Sequence, residues 1–206
     1  MGSGIWTMLT EGEPIMFLLL ALSVLTLALI IVKIIQLWPA TSGTTARTAA
    51  LALWASGDRH GAIAALPARS PADRVMKSGM ESLQSGLPPA LVEGDLARLG
   101  NEEVAAMSTG LRLLDLISMI SPLLGLLGTV IGMVQSFQDL SLAEGSANAS
   151  VLAGGIWLAL LTTAGGLVVA IPAAIGANLL TGRVDSAALK IESAVGQLLS
   201  ITARGR

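Results

Sequence analysis

Three long runs of uncharged, mostly apolar residues organise the chain. The first extends over 18 residues from Ile15 to Val32, and the second over 23 residues from Leu116 to Gln138. The third has 38 uncharged residues and lies between Glu144 and Arg183. Because roughly 20 helical residues cross a bilayer core about 30 Å thick, this pattern predicts three transmembrane helices. The third run is long enough to tilt or to project beyond the bilayer.

Shorter helices are predicted between the first and second runs, where Gly and Pro interrupt the pattern. We expect helices at residues 41–55, 58–66 and 73–84. No proline lies between Pro89 and Pro122, so we expect one long helix to rise from residue 90 into the second span. After the third span, an amphipathic helix over residues 185–203 is expected to continue it and to pack against residues 90–112.

The basic residues predict the orientation of these spans. Eight of the 12 Lys and Arg residues lie from Lys33 to Arg112, and the other four follow the third run. The positive-inside rule therefore places the N-terminus outside and the other two polar segments in the cytoplasm. The predicted division is an external segment 1–14, a first span 15–38, a cytoplasmic helical region 39–112, a second span 113–138, an external loop 139–150, a third span 151–182 and a cytoplasmic helix 183–206.

Composition agrees with a membrane protein and narrows the chemistry. Hydrophobic residues make up 53% of the 206 residues and charged residues 13%, against about 25% charged in average soluble domains. The chain has no Cys, and His60 is its single His, so we expect no metal site, no cofactor and no enzyme active site. A formal net charge of −2 gives no reason to expect nucleic-acid binding.

Small and polar residues recur on one face of the second and third spans, at steps of three or four. In the second span they are Ser118, Pro122, Gly125, Thr129, Gly132 and Ser136, and in the third Ala159, Thr163, Gly166, Ala170, Ala173 and Ala177. Small residues let helices approach closely in lipid. Spacing alone favours packing seams, with Pro122 and Pro172 as tolerated kinks, and leaves open a further role for the hydroxyl groups.

The three uncharged runs contain no Asp, Glu, Lys, Arg or His. Proton pumps and coupled transporters normally carry an ionisable group inside the membrane. Asp115 lies at the cytoplasmic edge, three residues from Arg112, and this spacing predicts a structural ion pair. If protons cross here, we therefore expect the titrating group to come from another chain.

Two runs of sequence resemble the ExbB/TolQ/MotA proton-channel family. Residues 121–137, SPLLGLLGTVIGMVQSF, resemble the family signature in the second span. Residues 155–172, GIWLALLTTAGGLVVAIP, followed by Asn178, resemble the family's third span. The short segment that begins with Glu13 and Pro14, followed by an apolar span, also resembles the family. The overall length resembles the ExbB/TolQ branch, because the MotA branch is usually longer and has four spans.

The resemblance implies an all-α integral membrane protein of the bacterial inner membrane. Two of its three transmembrane helices would extend into the cytoplasm, and the subunits would assemble as a ring of five. Such a homopentamer encloses two copies of a single-span ExbD/TolR-like partner, whose helix carries an aspartate in the pore. Proton flow through the ring would then perform envelope work through a TonB-like or TolA-like transducer.

The resemblance also implies which residues form the pore. The family's pore threonines match Thr129 and Thr163. The other predicted pore-lining residues are Ser118, Gly125, Gly132, Ser136, Ala159 and Gly166. The predicted structural motif comprises Pro122, Gly128, Pro172 and Asn178.

One position departs from the family pattern. ExbB and TolQ members generally carry a glutamate five residues before the threonine matched by Thr163, where this chain has Leu158. Two alternatives to the ExbB/TolQ function therefore stay open. One is the stator of another rotary system, for motility or defence, with sodium as an alternative ion. The other is a membrane scaffold that conducts no ions.

Overall fold

A computed structural model describes residues 14–142 and 149–204 of the chain, and every regular element in these ranges is an α-helix. The helices are α1 (Pro14–Leu37), α2 (Thr44–Ala55), α3 (Arg59–Ala64), α4 (Pro71–Gln84), α5 (Pro89–Ser108), α6 (Leu111–Leu142) and α7 (Ala149–Arg204). Three helical stretches are long and apolar enough to cross a membrane, within Pro14–Leu37, Pro89–Ser141 and Leu152–Arg204. The prediction of an all-helical protein with three candidate membrane spans is therefore confirmed.

The helices form two compact units. Among the described residues, the apolar unit comprises 14–31, 110–142 and 149–178, and the polar unit comprises 32–109 and 179–204. In the apolar unit, a core of large side chains joins α1, α6 and α7. Its members are Ile15, Leu19, Ile117, Val169 and Ala173, with Leu22, Leu29 and Leu124 packed around them.

The long helix expected from residue 90 is broken, so that prediction is wrong at one point. Helix α5 ends at Ser108 and α6 begins at Leu111. Between them, Thr109 adopts an extended conformation with ψ 131°, and Gly110 has φ +83°. A residue with a Cβ is strained at that φ, whereas glycine adopts it freely, so Gly110 is where the helix stops. Gly94 and Gly100, by contrast, lie inside α5.

A buried lysine satisfies the end of α5 within the polar unit. The Lys33 side chain is 6% exposed, and its Nζ donates to the carbonyl oxygen of Met107 at 3.1 Å and to Oε1 of Gln36 at 2.7 Å. The last carbonyls of a helix have no intrahelical donor, and the C-terminal end of the helix dipole favours a cation. Lys33 therefore stabilises the end of α5 just before the break.

The short helices begin one to three residues away from the predicted positions. Helix α2 begins at Thr44 rather than at residue 41, because Gly43 adopts φ +84° and the Ser42 hydroxyl donates back to the carbonyl of Pro39. Asp58 caps α3 through the amide of Gly61. Helix α4 begins at Pro71, after a capping box formed by Ser70 and Asp73. The Ser70 hydroxyl accepts a hydrogen bond from the Asp73 amide, and the Asp73 carboxylate accepts one from the Ser70 amide.

The extension of α7 packs inside the polar unit. Helix α7 continues without interruption to Arg204, as the amphipathic pattern after residue 185 predicts. A Cβ placed on Gly100 of α5 would lie 3.1 Å from Cγ2 of Ile191, so α7 packs directly on α5 there. A Cβ on Gly79 of α4 would lie 3.0 Å from Cδ2 of Leu198. Apolar side chains of the extension are thus covered by α4 and α5.

A buried ion pair joins the beginnings of α2 and α4. Nη1 of Arg47 donates to Oδ1 of Asp73 at 2.7 Å, to Oγ of Ser70 at 3.0 Å and to the carbonyl of Ser42 at 2.8 Å. Asp73 is fully buried and Arg47 nearly so. A Cβ on Gly43 would lie 2.7 Å from Oδ1 of Asp73, so glycine also leaves room for the carboxylate.

Replacing Arg47 by Met should destabilise the polar unit strongly. The change leaves the Asp73 carboxylate buried without its cation, and breaking a buried pair in this way costs about 3 to 5 kcal/mol. The measurement is thermal unfolding of the detergent-solubilised chain by circular dichroism. Arg98→Gln is the matched control, since Arg98 pairs with Glu102 at 2.7 Å on an exposed surface and such pairs contribute about 0 to 1 kcal/mol. Equal melting temperatures for the two variants would contradict the assignment.

Candidate functional site

The candidate site is built on a close contact between α6 and α7 in the apolar unit. A Cβ on Gly166 of α7 would lie 2.5 Å from the carbonyl oxygen of Ser121 and 3.2 Å from Cα of Gly125. A Cβ on Gly125 would lie 2.9 Å from Cα of Thr163 and 2.9 Å from the carbonyl oxygen of Thr162. Backbone lies against backbone here, so both positions require glycine.

The contact continues along both helices in an antiparallel register. A Cβ on Gly128 of α6 would lie 2.6 Å from Oγ1 of Thr162. Further along, a Cβ on Gly155 of α7 would collide with Oγ of Ser136. We call this contact the glycine seam, and its members on the two helices are Ser121, Gly125, Gly128 and Ser136, and Gly155, Thr162 and Gly166.

Hydroxyl groups at the seam donate to carbonyls of the same chain. Oγ1 of Thr163 donates across the seam to the carbonyl of Gly125 at 3.1 Å, and Oγ1 of Thr162 donates to the carbonyl of Ala159 at 2.6 Å. Oγ1 of Thr129 donates to the carbonyl of Leu126 at 2.7 Å. Ser118, Ser121 and Ser136 likewise donate to carbonyls three or four residues back.

These hydrogen bonds decide what the hydroxyls offer to a ligand. A hydroxyl has one hydrogen to donate and two lone pairs that accept. Since the hydrogens of Thr129 and Thr163 are engaged with carbonyls, their oxygens present lone pairs. Both side chains are half-buried, so part of each surface is accessible. This surface accepts hydrogen bonds from a donor and offers little to a bare anion.

The structure divides the eight predicted pore-lining residues into two groups. Gly125, Ser136, Ala159 and Gly166 are buried, and at Gly125, Ser136 and Gly166 the covering surface is the facing helix of the same chain. This location favours the packing interpretation for them. Ser118, Thr129, Gly132 and Thr163 are half-buried and keep accessible surface. The pore-lining role itself stays a prediction for all eight.

An open groove runs along α6 beside Thr129. It has a volume of about 550 Å³, and its wall is formed by Thr129, Val130, Met133, Val134, Phe137, Gln138 and Ser141. Most of this wall is apolar, with Thr129 at one end and the Gln138 amide near the other. Thr129 thus lies on a surface that is open in a single chain.

The motif residues occupy varied places in the two helices. Pro122 lies half-buried inside α6, and Pro172 is exposed inside α7. Asn178 does not end a helix, because α7 continues past it; Nδ2 of Asn178 donates to the carbonyl of Ala174 one turn back. Leu158, at the position that departs from the family pattern, is half-buried in α7.

The predicted stripes include Gly125, Ser136 and Gly166 of the seam but are offset by one residue at other contact positions. Ser121 and Thr162 are fully buried at the contact, yet the predicted stripes contained neighbouring residues instead. On α6 the steps 121, 125, 128, 132 and 136 follow the helical period as well as the predicted stripe does. The glycines of the two spans were the sequence signal for the position of the seam, because helix backbones approach closely where glycine is present.

The ion pair predicted between Arg112 and Asp115 is not formed. Both side chains are exposed, and the salt bridges of the described residues all lie elsewhere, at Arg47, Arg74 and Arg98. The wrong prediction rested on the spacing alone, which brings the two side chains to one face of α6 but does not hold two exposed groups together.

Comparison with known proteins assigns the chain to a family. The sequence model of the MotA/TolQ/ExbB proton channel family matches residues 67–193, which is more than half of the chain and includes the whole glycine seam. The chain belongs to this family. The predicted resemblance is therefore confirmed, and the chain is a membrane protein of a proton-channel family.

Individual members of the MotA/TolQ/ExbB family are similar over shorter stretches. Biopolymer transport protein exbB1 of Vibrio cholerae is 47% identical over 91 residues, which cover 44% of this chain and 40% of that protein. The Tol-Pal system protein TolQ of Haemophilus influenzae is 33% identical over 112 residues, 53% of this chain and 49% of that protein. A putative ExbB-like protein of Synechocystis is 41% identical over 106 residues, 50% of this chain and 41% of that protein. The chain thus spans less than half the length of each of these relatives.

Replacing Gly166 by Ala should force α6 and α7 apart. The added Cβ meets the backbone of Ser121 and Gly125, which cannot rotate away as a side chain does, and overpacking of this kind costs about 1 to 3 kcal/mol. The neighbouring Gly165→Ala is the matched control, because its Cβ would lie 3.7 Å from Leu19 and Met16, an ordinary contact. Thermal unfolding in detergent compares the two variants. A Gly166→Ala protein as stable as Gly165→Ala would show that the seam is not tightly packed.

Proposed function

We propose that this chain is the channel subunit of an ion-driven motor in the bacterial inner membrane. In this proposal it couples the proton motive force to envelope work, in a TonB-dependent import system or a Tol-Pal system. Names of its relatives include both biopolymer transport and Tol-Pal proteins. The observation that carries the proposal is the pair of half-buried hydroxyls of Thr129 and Thr163, whose oxygens can accept hydrogen bonds. Both threonines lie in uncharged runs of the second and third spans.

The proposed assembly is a ring of five copies around two copies of a single-span ExbD/TolR-like partner. In the proposed topology the N-terminus lies in the periplasm and the polar unit in the cytoplasm, with α5 and the end of α7 as the cytoplasmic extensions of the second and third spans. Charge supports this orientation, since all 12 Lys and Arg residues belong to segments placed in the cytoplasm or at its membrane edge.

The acceptor character of the hydroxyls suits a proton carrier. A protonated carboxyl group on the partner would donate its hydrogen to the oxygen of Thr129 or Thr163. A carboxylate would find lone pairs facing its own lone pairs, because both threonine hydrogens are engaged with carbonyls. The neutral acid is therefore the form that this surface stabilises. Protonation from one side of the membrane would let the partner's acid pass the threonines, and release of the proton on the other side would complete the step.

The glycine seam supports this function by holding the threonines in place. Thr163 bonds to the Gly125 carbonyl across the seam, and Thr129 follows Gly125 by one turn of α6. A hydrogen bond from one helix to the backbone of the other fixes the relative positions of both hydroxyls. Helices α6 and α7 then keep a fixed relative position and together form one rigid wall of the proposed channel.

Leu158 favours a second candidate within the same class. The chain has a half-buried leucine where ExbB and TolQ members generally carry a glutamate, so it lacks that second titrating group. A stator of another rotary system, for motility or defence and driven by sodium, is the function that this position favours as an alternative. A scaffold that conducts no ions is the outcome if no flux is measured with the partner present.

Replacing Thr163 or Thr129 by Val should abolish transport work and leave assembly intact. Valine has nearly the same shape as threonine and lacks the hydroxyl, so the acceptor is lost. At residue 163 the hydrogen bond to the Gly125 carbonyl is lost with it, while the glycine contacts of the seam remain. The measurement is proton flux into proteoliposomes that contain the chain and its single-span partner, together with the native mass of the complex. Thr163→Ser is the control, because it keeps the oxygen and should keep most of the flux.

Full flux in both valine variants would refute the roles assigned to the threonines. A pentamer that does not gain the partner, or a monomer, would refute the shared channel instead. Sodium-dependent flux would support the alternative stator and leave the threonine roles in place.

A further inference from the structure

A cavity in the polar unit, separate from the proposed channel, is lined by cationic and hydrogen-bonding side chains. It has a volume of about 550 Å³ and lies where the end of α2, α3, the end of α4 and the last turn of α7 meet. Its polar wall is formed by Trp54, Arg59, Gln84, Thr202 and Arg204. Ligand sites in proteins commonly have volumes of about 300 to 1,000 Å³, so the space suits a small molecule.

The charged side chains in the cavity wall are all cationic. Arg59 and Arg204 are the charged residues among those that line the cavity. Within the part of the chain that the structure describes, Arg59 has no carboxylate oxygen within 4.0 Å, since the salt bridges there involve Arg47, Arg74 and Arg98. Asp58 is next to Arg59 in sequence, but its carboxylate accepts a hydrogen bond from the Gly61 amide as the cap of α3.

The cavity wall is held in place by specific contacts. The guanidinium carbon of Arg59 lies 4.5 Å from the centre of the Trp54 ring, a cation–π distance. Nε1 of Trp54 donates to Oγ1 of Thr202 at 3.1 Å, and Thr202 in turn donates to the carbonyl of Leu198 at 2.8 Å. These bonds join α2 to the end of α7 beneath the cavity. The Arg59 guanidinium is therefore positioned before any ligand arrives.

The chemistry of the wall selects the class of ligand. A guanidinium presents its N–H groups in a planar fork that matches the oxygens of phosphate and carboxylate groups. Gln84 adds a side-chain amide, and its Nε2 lies 3.1 Å from Nε2 of His60, which holds it at the cavity edge. Leu83 and Ile201 supply apolar surface for the rest of a ligand. We propose that this cavity binds a small oxyanion, a molecule that carries phosphate or carboxylate groups, between Arg59 and Arg204.

The experiment is calorimetric titration of the purified, detergent-solubilised chain with inorganic pyrophosphate and, separately, with succinate, both at fixed ionic strength. Binding of pyrophosphate identifies a phosphate site, and binding of succinate identifies a carboxylate site. In either case Arg59→Gln and Arg204→Gln should each raise the dissociation constant at least tenfold, because each removes one of the two cations. Arg69→Gln is the matched control for charge; Arg69 is exposed and outside the cavity wall, so its loss should change binding less than twofold.

One further variant and one further measurement separate binding from folding. Arg59→Lys keeps the positive charge but loses the planar set of N–H donors of the guanidinium. We therefore expect a loss of affinity smaller than that of Arg59→Gln. Arg204→Gln changes an exposed side chain in the last turn of α7, and its melting temperature should equal that of the unchanged chain. The proposal is overturned if neither probe binds at millimolar concentration. It is equally overturned if Arg69→Gln weakens binding as much as Arg59→Gln and Arg204→Gln do, since the attraction would then be general to the basic surface.

Discussion

The approach of two backbones at Gly125 and Gly166 is the constraint on which the apolar unit depends. In lipid, helices gain little from burying apolar side chains, so close packing and interhelical hydrogen bonds hold them together. A Cβ at either glycine would lie within 2.9 Å of backbone atoms of the facing helix. Only at this separation does the Thr163 hydroxyl reach the Gly125 carbonyl. The close packing of the two helices and the hydrogen bond between them therefore both depend on Gly125 and Gly166.

This dependence explains how one stripe of residues can form the packing contact and also present the surface of the proposed channel. The side chains at the contact, such as Ser121 and Thr162, are buried and have their hydrogens engaged. Those at its margin, Thr129 and Thr163, keep accessible oxygens. Neighbouring positions thus differ in burial: some form the packing contact, and others keep the accessible surface that the proposed channel requires. A rotation of about 100° per residue is enough to move a side chain from the contact to the free surface.

The sequence predicts the three spans because bilayer thickness and helix rise leave few alternatives for long apolar runs. It predicts less well where a choice depends on tertiary contacts. Gly110 breaks a helix while Gly94 and Gly100 do not, and all three have the same intrinsic propensity. The Lys33 side chain at the end of α5 comes from a residue 74 positions away from Met107. The cavity wall likewise joins Trp54 to Thr202, and no local pattern reveals such a pair.

The distribution of charge supports the proposal that a partner chain carries the titrating group. The polar unit tolerates a fully buried carboxylate because Arg47 neutralises Asp73 and because both carboxylate oxygens accept a hydrogen bond, one from Nη1 of Arg47 and one from the Ser70 amide. The three uncharged runs contain no ionisable residue, and Leu158 stands where the resemblance to the ExbB/TolQ branch implies a carboxylate. Hydroxyl oxygens with engaged hydrogens accept a hydrogen bond, but they do not titrate near neutral pH. In the proposed function, a proton that crosses beside Thr129 and Thr163 therefore travels on a group that a partner supplies, and this chain stabilises the neutral form of that group along its path.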